Sequence, residues 1–552
     1  MSLECTYPDP GFWTATSLIQ LGYGIWVNLS IVTIGLTFGF SAVAIPQLNS
    51  PDSEIFLTVA DESWIASVLT LVSPIGCVLC GYCMDNFGRR IMLIVSGIPV
   101  CIGWFYTGFA QTAFQIVMGR VITGIGIGMV MSVPRVYMTE ISLPNMRGVI
   151  GSFPNIAMSI GITTQAGLGS FLHWTMLCYI GGIYSCVLVI CNIFLPETPY
   201  YLLQKSSIED AEESLKKFRS KRHNIDAEMD EMLDFKIDNN IRKLTLREQI
   251  AAMFMKSSCK PFFLMIMYLL ITQVSGVTIV TMWAVDILEH SKSSVDPHVA
   301  NVMLGITRLL AGILTSALIL RVGRRPLALT SGFGVGVSAI ILSLIIIYMD
   351  YPSVYPQMCY VAYITFASLG HYPLPVLVMF ELYPLQIRGI LGGISIAILN
   401  FLMFSANKSF PYVRDAFGHA ATIMGFGISS LLGCLYLYLY LPETKGLTLQ
   451  EIEEYYKDLR PTLTSQRRIK SEMYLRNVAS GVSKSLIRMD RHRDRSMSLR
   501  RISPDLGKDK AADHSKTTDN NKNVDKSKDT DKNKDADKSK DADKSKDADK
   551  TK

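Results

Sequence analysis

Polar side chains inside long apolar runs are the residues whose types and spacing suggest chemistry. Gln273 and Thr278 flank a Ser-Gly pair within one run, and Arg308 lies in the middle of the next. In a bilayer, polar groups must bond to other protein groups or to water in a cavity. Polar residues at that depth indicate a functional site. These stretches therefore predict a hydrated chamber that faces a polar solute.

Apolar runs of about 20 residues, the length that crosses a bilayer core, must position these side chains. Hydrophobic residues make up 49% of the 552 residues. The pattern predicts an all-α membrane protein with twelve transmembrane helices. We place them near residues 24–46, 64–84, 91–110, 115–138, 149–171, 176–195, 261–288, 300–322, 327–349, 354–381, 390–410 and 420–441.

The distribution of charge predicts orientation and domains. Basic residues follow every second span and fill the central polar segment, so the positive-inside rule places both termini in the cytoplasm. We expect the protein to lie in the plasma membrane. We divide the chain into a cytoplasmic N-terminus (1–23), a six-helix bundle (24–199), a cytoplasmic helical linker (200–258), a second six-helix bundle (259–445) and a cytoplasmic tail (446–552).

The linker and the tail differ in composition. Glu212 and Glu213 precede Lys216 and Lys217 by one helical turn, which predicts i,i+4 pairs on a surface helix. Beyond about residue 461 the chain is dense in charge and poor in apolar residues. Such a segment cannot offset its ordering entropy, so we expect it to be disordered. Contact of its basic part with anionic lipid is an alternative to plain solvation.

The two bundles are related by an internal repeat. Gly88-Arg89-Arg90 recurs as Gly323-Arg324-Arg325, and Pro196-Glu197-Thr198 recurs as Pro442-Glu443-Thr444. Between them, Glu140 with Arg147 recurs as Glu381 with Arg388 at a nearly constant offset. A duplicated six-span unit suggests two bundles that rock about a central site.

The repeated charges predict a gate at the cytoplasmic ends of the spans. A carboxylate and a guanidinium at neighbouring helix ends form charge-assisted pairs, which would join the two halves while the site faces outward. The alternative is that the arginines serve topology only. The predicted gate residues are Asp85, Arg89, Arg90, Glu140, Arg147, Glu197, Arg324, Arg325, Glu381, Arg388 and Glu443.

Several functional classes are not expected. The polar segments contain no nucleophile, base and orienting residue in combination, so we predict no enzyme, and nothing indicates a cofactor or nucleic acid. Cys77, Cys80 and Cys83 recur every third residue within one span. No second cysteine pair lies nearby, so we interpret them as small packing residues and predict no metal site and no disulfide framework.

The motifs together resemble the sugar-porter branch of the major facilitator superfamily. They are Asp85 to Arg90, Gly119-Arg120, Glu140 to Gly148, Pro196 to Pro199, Gln273 to Gly276 and Pro442 to Thr448. The resemblance runs from about residue 30 to residue 455. Pro196 to Leu202 and Lys408 to Pro411 are most similar to the insect facilitated trehalose transporters. The resemblance implies the major facilitator fold and facilitative transport of a neutral sugar, a hexose or a trehalose-type disaccharide, by alternating access.

The resemblance also implies substrate-binding residues. The paired glutamines of span seven fall on Thr272 and Gln273, and the asparagine that follows falls on Thr278. Asn400 matches an asparagine of span eleven, and Pro373 and Pro375 allow a break in span ten. The glutamine of span five aligns with Ala166, one residue after Gln165. The predicted substrate-binding set is Gln165, Gln273, Thr278, Trp283, Arg308 and Asn400.

This chain departs from the family at several positions. Val376 and Phe401 replace tryptophans, and Ser41 stands where proton-coupled members have an aspartate, which favours facilitation over symport. Arg308 replaces an asparagine. Three roles remain open for it: an ion pair with Asp286, hydrogen bonds to sugar hydroxyls, or binding of an anionic substrate.

Aromatic and functional alternatives also remain open. Trp283 and Tyr372 either stack on a sugar ring or pack in the core, and His371 is interpreted as a packing residue rather than a ligand. One rival function is a carrier for another small solute, including an organic anion. The other is a sugar-sensing receptor that signals through its long tail.

Overall fold

The computed structural model describes residues 14–51, 53–143, 146, 149–205, 208–220, 225–226, 228–230, 232–233, 251, 253–349, 351–384, 387–445, 452 and 455–456. These residues belong to one unit of the chain, Met1–Ile469. The predicted disordered tail lies outside the described residues, as do Arg147 and most of the second part of the linker.

Six long helices form the first half: α1 Ala15–Leu48, α2 Val59–Phe87, α3 Arg89–Gly108, α4 Ala113–Ile141, α5 Phe153–Gly169 and α6 Trp174–Asn192. The helix α1 begins at Ala15 rather than near residue 24, and the side chain of Thr14 caps it. Thr58 and Thr112 form capping boxes at the starts of α2 and α4. Such reciprocal bonds satisfy the free N–H groups of the first turn.

The linker begins with two short helices, α7 Pro199–Lys205 and α8 Ile208–Phe218. Lys216 pairs with Glu212 at 2.6 Å and Lys217 with Glu213 at 3.0 Å, which confirms the predicted i,i+4 pairs. After α8, Arg219 Nη1 donates to the backbone oxygen of Ile141 at 2.9 Å. This contact attaches the linker to the end of α4.

The second half contains more, shorter helices because two of its spans are broken. Its helices are α9 Lys256–Val274, α10 Val277–Met282, α11 Ala284–Glu289, α12 Pro297–Arg321, α13 Arg324–Tyr348, α14 Tyr355–Phe366, α15 Leu374–Leu382, α16 Arg388–Phe417 and α17 His419–Tyr440. The seventh predicted span corresponds to α9–α11. The tenth corresponds to α14, a π-helical turn at Ala367–His371, and α15.

The helices have the length and composition that a membrane requires. Eleven segments of the described chain are long and apolar enough to cross a bilayer. The helix α5, with 17 residues, occupies the position of the remaining predicted span. The described residues contain no strand, only an isolated bridge between Ser293 and Ser353. The all-α, twelve-helix prediction is confirmed.

Small residues allow the helices of the first half to approach closely. A Cβ atom added to Gly35 on α1 would lie 2.1 Å from the backbone oxygen of Met158 on α5. A Cβ atom added to Gly161 on α5 would lie 2.3 Å from the backbone oxygen of Val32 on α1. Helices in lipid associate through such close packing because no hydrophobic driving force acts between them.

The linker end is where α3 and α13 begin, at Arg89 and Arg324, next to the linker. The far end is where α1 ends and α2 and α17 begin, at Leu48, Val59 and His419.

Candidate functional site

A cavity of about 470 Å³ lies between the two halves and is lined by residues of both. Its volume falls within the range of about 300–1,000 Å³ usual for small-molecule sites. Ser142 and Ile150 line it close to the end of α4 and the beginning of α5, which lie at the linker end. Phe380, next to Glu381, lines it near the linker-end terminus of α15. The described polar residues that line it are Asn28, Arg135, Thr139, Ser142, Asn155, Thr272, Gln273, Thr278, Thr281, Arg308, His371, Tyr372 and Asn400.

Four of the predicted binding residues, Gln273, Thr278, Arg308 and Asn400, line this one cavity. The first two meet because the chain breaks between α9 and α10, where Gly276 adopts a left-handed backbone with φ of 79°. Thr278 Oγ1 donates to Gln273 Oε1 at 2.8 Å. This break interrupts the seventh span, which was predicted as one run over 261–288, and it leaves the amide nitrogen of Gln273 available for a ligand.

Arg308 is buried in the wall of the cavity and bonds to neutral groups. Its Nη2 donates to Thr281 Oγ1, and its guanidinium lies 4.1 Å from the centroid of the Tyr372 ring. Its Nη1 is buried and has no hydrogen-bond partner among the described residues. The suggested pair with Asp286 is wrong, because Asp286 binds Arg414 at 2.8 Å instead.

Tyr372 and Thr281 orient this arginine. Tyr372 Oη lies 2.6 Å from Thr281 Oγ1 and donates to the backbone oxygen of Val277 at 2.8 Å. Arg308 also lines a smaller cavity of about 190 Å³, formed with Asn155, Ser159 and Thr315. Arg308 therefore borders both cavities, and its Nη1 has no hydrogen-bond partner among the described residues.

Asn400 connects the halves across the cavity. Its Oδ1 accepts a hydrogen bond from Ser73 Oγ on α2 at 2.8 Å, and its Nδ2 donates to Ile396 at 2.9 Å. Nearer the far end, Lys408 Nζ donates to Ser63 Oγ at 2.7 Å and lies 4.0 Å from the centroid of the Trp64 ring. These contacts between α2 and α16 close the far end in this conformation.

Replacing Ser73 with alanine should favour opening at the far end, because it removes a bond that joins the two halves in this conformation. A hydrogen bond contributes about 1 kcal/mol, roughly a five-fold change in population. The measurement is the distance distribution between spin labels at the exposed positions Phe56 and Tyr351.

Ser67→Ala is the matched control for this substitution, since Ser67 Oγ bonds to Ser63 within α2 itself. Equal distance distributions for the two variants would contradict the role of the Ser73–Asn400 bond.

Two predicted binding residues do not line the cavity. Gln165 is buried, and its side chain packs against Gly39 on α1. Trp283 is also buried and its ring packs against Phe410, with centroids 5.4 Å apart. Of the two aromatic residues suggested to stack on a sugar, only Tyr372 borders the cavity, and Arg308 covers one of its faces.

The structure also brings residues into the cavity that the sequence analysis did not select. Thr281 is one helical turn after Thr278, and this spacing could have predicted that both side chains face the cavity. His371 borders the cavity while its Nδ1 lies 2.8 Å from Ser331 Oγ. Arg135 and Asn155 belong to α4 and α5 and had no distinguishing pattern. Pro373 and Pro375 border the cavity at the start of α15, directly after the π-helical turn.

The charges around the cavity are of one sign. Its described lining includes the guanidinium groups of Arg135 and Arg308 and no carboxylate. A buried positive charge without an acidic partner attracts electronegative atoms. The site therefore suits hydroxyl oxygens or an anionic group, and it disfavours cationic solutes.

At the linker end of the first half, the repeated charges form one network. Arg89 Nε donates to Glu140 Oε1 at 2.9 Å, and Thr198 Oγ1 donates to Glu140 Oε2 at 2.5 Å. The Glu197 carboxylate accepts the backbone N–H groups of Arg89 and Arg90, each at 3.0 Å. Burial raises the pKa of the Glu197 carboxyl, against the opposing effect of these N–H donors.

The second half repeats the same network. Arg324 Nη2 donates to Glu381 Oε1 at 2.8 Å, and Thr444 Oγ1 donates to Glu381 Oε2 at 2.5 Å. Glu443 accepts the backbone N–H groups of Arg324 at 2.9 Å and Arg325 at 3.1 Å.

These described pairs join elements of one half only. The predicted contact between halves therefore stays a prediction, for a conformation closed at the linker end. The side chains of Asp85 and Arg388 lie outside the described part of the structure, as does all of Arg147.

Sequence comparison relates the chain to insect transporters. The facilitated trehalose transporter Tret1 of Apis mellifera ligustica is 26% identical over 442 residues, which cover 79% of this chain and 88% of that protein. The protein of the same name from Drosophila mojavensis is 27% identical over 440 residues, covering 77% of this chain. The chain spans about half the length of the Drosophila protein, with 50% of it covered.

Solved structures show the same fold. The inward-open xylose transporter XylE from E. coli matches with a TM-score of 0.67 at 19% identity, covering 79% of this chain and 99% of that one. XylE bound to 6-bromo-6-deoxy-D-glucose matches with a TM-score of 0.63 at 20% identity, covering 79% and 100%. At this level of identity, these matches establish the fold alone.

The family comparison agrees with the fold and the central cavity. A model described as "Sugar (and other) transporter" matches residues 12–456. The solved structures with the same fold include one described as a major facilitator superfamily protein. The chain therefore belongs to the sugar transporter family of the major facilitator superfamily and is not an enzyme.

Proposed function

We propose that this protein carries a neutral sugar, a hexose or a trehalose-type disaccharide, down its gradient by alternating access. The observation that carries the proposal is the single cavity lined by Gln273, Thr278, Arg308 and Asn400 from the broken and unbroken helices of the second half. Amide, hydroxyl and guanidinium groups supply the donors and acceptors that match sugar hydroxyls. Residues of α1, α4 and α5 complete the cavity from the first half.

Each binding residue has a distinct task in this proposal. The free amide nitrogen of Gln273 and the side chain of Thr278 contact sugar hydroxyls at the break between α9 and α10. Arg308 donates from its unpartnered Nη1 to a sugar oxygen. Asn400 exchanges its bond with Ser73 for other partners when the far end opens. Since each group is neutral or permanently charged, no proton transfer is required.

Facilitation rather than proton symport is supported by the surroundings of Ser41. Arg120 is buried on α4, and its Nη2 donates to Ser41 Oγ at 2.6 Å. Its Nη1 donates to the backbone oxygen of Thr37 at 2.9 Å, so it is satisfied without a carboxylate. A serine hydroxyl does not titrate near neutral pH and cannot couple sugar movement to a proton.

The proposed location is the plasma membrane, with both termini, the linker (200–258) and the tail (446–552) on the cytoplasmic side. The support is the concentration of arginines at the linker end, at Arg89, Arg90, Arg324 and Arg325, as the positive-inside rule requires. In that orientation, the observed cavity is accessible from the cytoplasm.

A second candidate is a carrier for organic anions. It is favoured by the two guanidinium groups in a described cavity lining that contains no carboxylate. A sugar acid would satisfy the free N–H side of Arg308 more strongly than a neutral sugar, because hydrogen bonds between charged groups are roughly twice as strong as neutral ones. The two candidate functions differ in whether the substrate carries a carboxylate.

Counterflow into proteoliposomes that contain the purified chain tests the proposal. Glucose and glucuronate form a matched pair, since they share a ring and differ by the carboxylate. We expect labelled glucose or trehalose to enter with the same rate whether or not a pH gradient is imposed. Flux of glucuronate alone would establish the anion carrier, and accumulation driven by the pH gradient would contradict facilitation.

Truncation after Pro461 separates the carrier from the receptor. We expect flux to be independent of the tail. Binding without flux in the full chain would instead support a sugar-sensing receptor.

A further inference from the structure

A second polar cavity lies at the far end, away from the proposed sugar site. It measures about 600 Å³ and is bordered by Asn49 and Glu62 of the first half and by residues of α11, α16 and α17. Its described charged residues are Glu62, Asp286, Glu289, Arg414 and Asp415. Four carboxylates outnumber one guanidinium, so the cavity attracts cations.

Three metal-ligand groups meet on one side of this cavity. Asp286, His290 and His419 each offer a ligand atom, and these atoms lie within 4.8 Å of one another. The imidazole rings of His290 and His419 are stacked, with centroids 4.4 Å apart and planes inclined by 13°. The first two groups are one helical turn apart, whereas His419 arrives from the start of α17. We propose that Asp286, His290 and His419 form a binding site for a divalent transition-metal cation of the zinc class.

The hydrogen bonds around the three groups leave ligand atoms free. His290 Nδ1 lies 2.8 Å from the backbone oxygen of Asp286, which can only accept, so this nitrogen carries the proton. The lone pair of His290 Nε2 is then available. Metal-binding histidines commonly donate their other N–H to a carbonyl in this way, which fixes the orientation of the ring.

Two further atoms at the site are unsatisfied. His419 Nε2 and Asp286 Oδ2 are buried and have no hydrogen-bond partner among the described residues. Asp286 uses its other oxygen, Oδ1, to accept from Arg414 at 2.8 Å. Arg414 also donates to Asp415 at 2.9 Å, so its charge is shared between two carboxylates. The arginine therefore orients the Asp286 carboxylate without occupying the oxygen that would bind the metal.

The donor set identifies the class of ion. Two imidazole nitrogens and one carboxylate, with water in the fourth position, are typical of zinc, whereas calcium and magnesium prefer all-oxygen sites. Zinc bonds of about 2.0–2.2 Å place tetrahedral ligand atoms roughly 3.3 Å apart. The three ligand atoms now lie within 4.8 Å of one another, so metal binding requires them to approach by roughly 1.5 Å.

Cobalt substitution in the purified, chelator-treated full chain tests the site. We expect added Co²⁺ to give visible absorption bands of a low-coordinate nitrogen and oxygen site, and Zn²⁺ to abolish them at one equivalent. His290→Ala and His419→Ala should each weaken Zn²⁺ binding at least about ten-fold, because even the loss of an outer-shell partner of a metal ligand has an effect of that size. Zn²⁺ should raise the thermal unfolding temperature of the unmodified chain but not of His290→Ala or His419→Ala.

His298→Ala is the matched control, since this histidine lies in the next helix but outside the cluster. It should bind Co²⁺ and Zn²⁺ like the unmodified chain. Absence of Co²⁺ bands, or equal Zn²⁺ affinity in the unmodified chain, His290→Ala and His419→Ala, would overturn the proposal. None of these measurements depends on sugar transport, so they are independent of the proposed function.

Discussion

Arg89→Gln should lower the stability of the first half by about 3 kcal/mol, the cost typical of breaking a buried ion pair. Arg89 and Glu140 are mostly buried, with side chains 9% and 15% exposed. Without the guanidinium, the Glu140 carboxylate keeps its bond with Thr198 but loses the ion pair with Arg89. The measurement is the thermal unfolding midpoint of the purified protein, together with the fraction that elutes as a single species.

Three variants sharpen this prediction. Arg324→Gln removes the equivalent pair of the second half, whose side chains are 20% and 19% exposed, so it should have a smaller effect. Glu140→Gln combined with Arg89→Gln should be less destabilising than the sum of the single changes. Lys216→Gln, which affects an exposed pair of the linker, should leave the midpoint unchanged. An Arg89→Gln protein as stable as the unmodified chain would refute the structural role of the network.

Arg308→Gln should reduce transport of the natural substrate by about ten- to a hundred-fold, because a hydrogen bond from a charged group contributes about 1.5–3 kcal/mol. Arg308 lines the cavity, its buried Nη1 has no hydrogen-bond partner, and it has no acidic partner among the described residues. The measurement is counterflow of glucose, trehalose and glucuronate for each variant, normalised to the amount of folded protein.

The pattern across substrates distinguishes the two proposed functions. For a neutral-sugar carrier, Arg308→Gln and Arg308→Lys should both impair glucose or trehalose flux, since lysine cannot form the same fork of bonds. For an anion carrier, Arg308→Lys should keep part of the glucuronate flux, because the charge remains. Thr307→Ser serves as the control, since Thr307 is half-buried, does not line the cavity and bonds to Met303 within its own helix. Unchanged flux of all three solutes in Arg308→Gln would exclude contact between this arginine and the substrate.

The helices follow directly from local patterns in the sequence. Runs of about 20 apolar residues have few alternatives in a bilayer, since every backbone group must be satisfied within the run. The Ser275–Gly276 break was predictable because a left-handed backbone favours glycine. The beginning of α1 was less predictable, since Ala15 to Gly24 is less apolar and its helix depends on Thr14 and contacts with the linker.

Side-chain partners were harder to predict from order along the chain. Asp286, late in the seventh span, was the nearest plausible partner of Arg308 by sequence, yet Arg414, which is distant in sequence, binds it at 2.8 Å. Gln165 and Trp283 occupy plausible positions in their helices but face the core rather than the cavity. Successive residues of a helix are rotated by about 100°, so neighbouring positions can face the cavity or the core. Packing against a neighbouring helix decides which of the two a given side chain faces.

The sequence by itself determined the all-α class, the duplicated halves and the family, because each depends on residues that are close together or repeated at a constant offset. The tertiary structure alone decided which polar groups face one cavity, which half each ion pair belongs to, and the meeting of Asp286, His290 and His419. Those features depend on distances between helices that are remote in sequence. Such distances are set by packing of whole helix surfaces rather than by any local pattern.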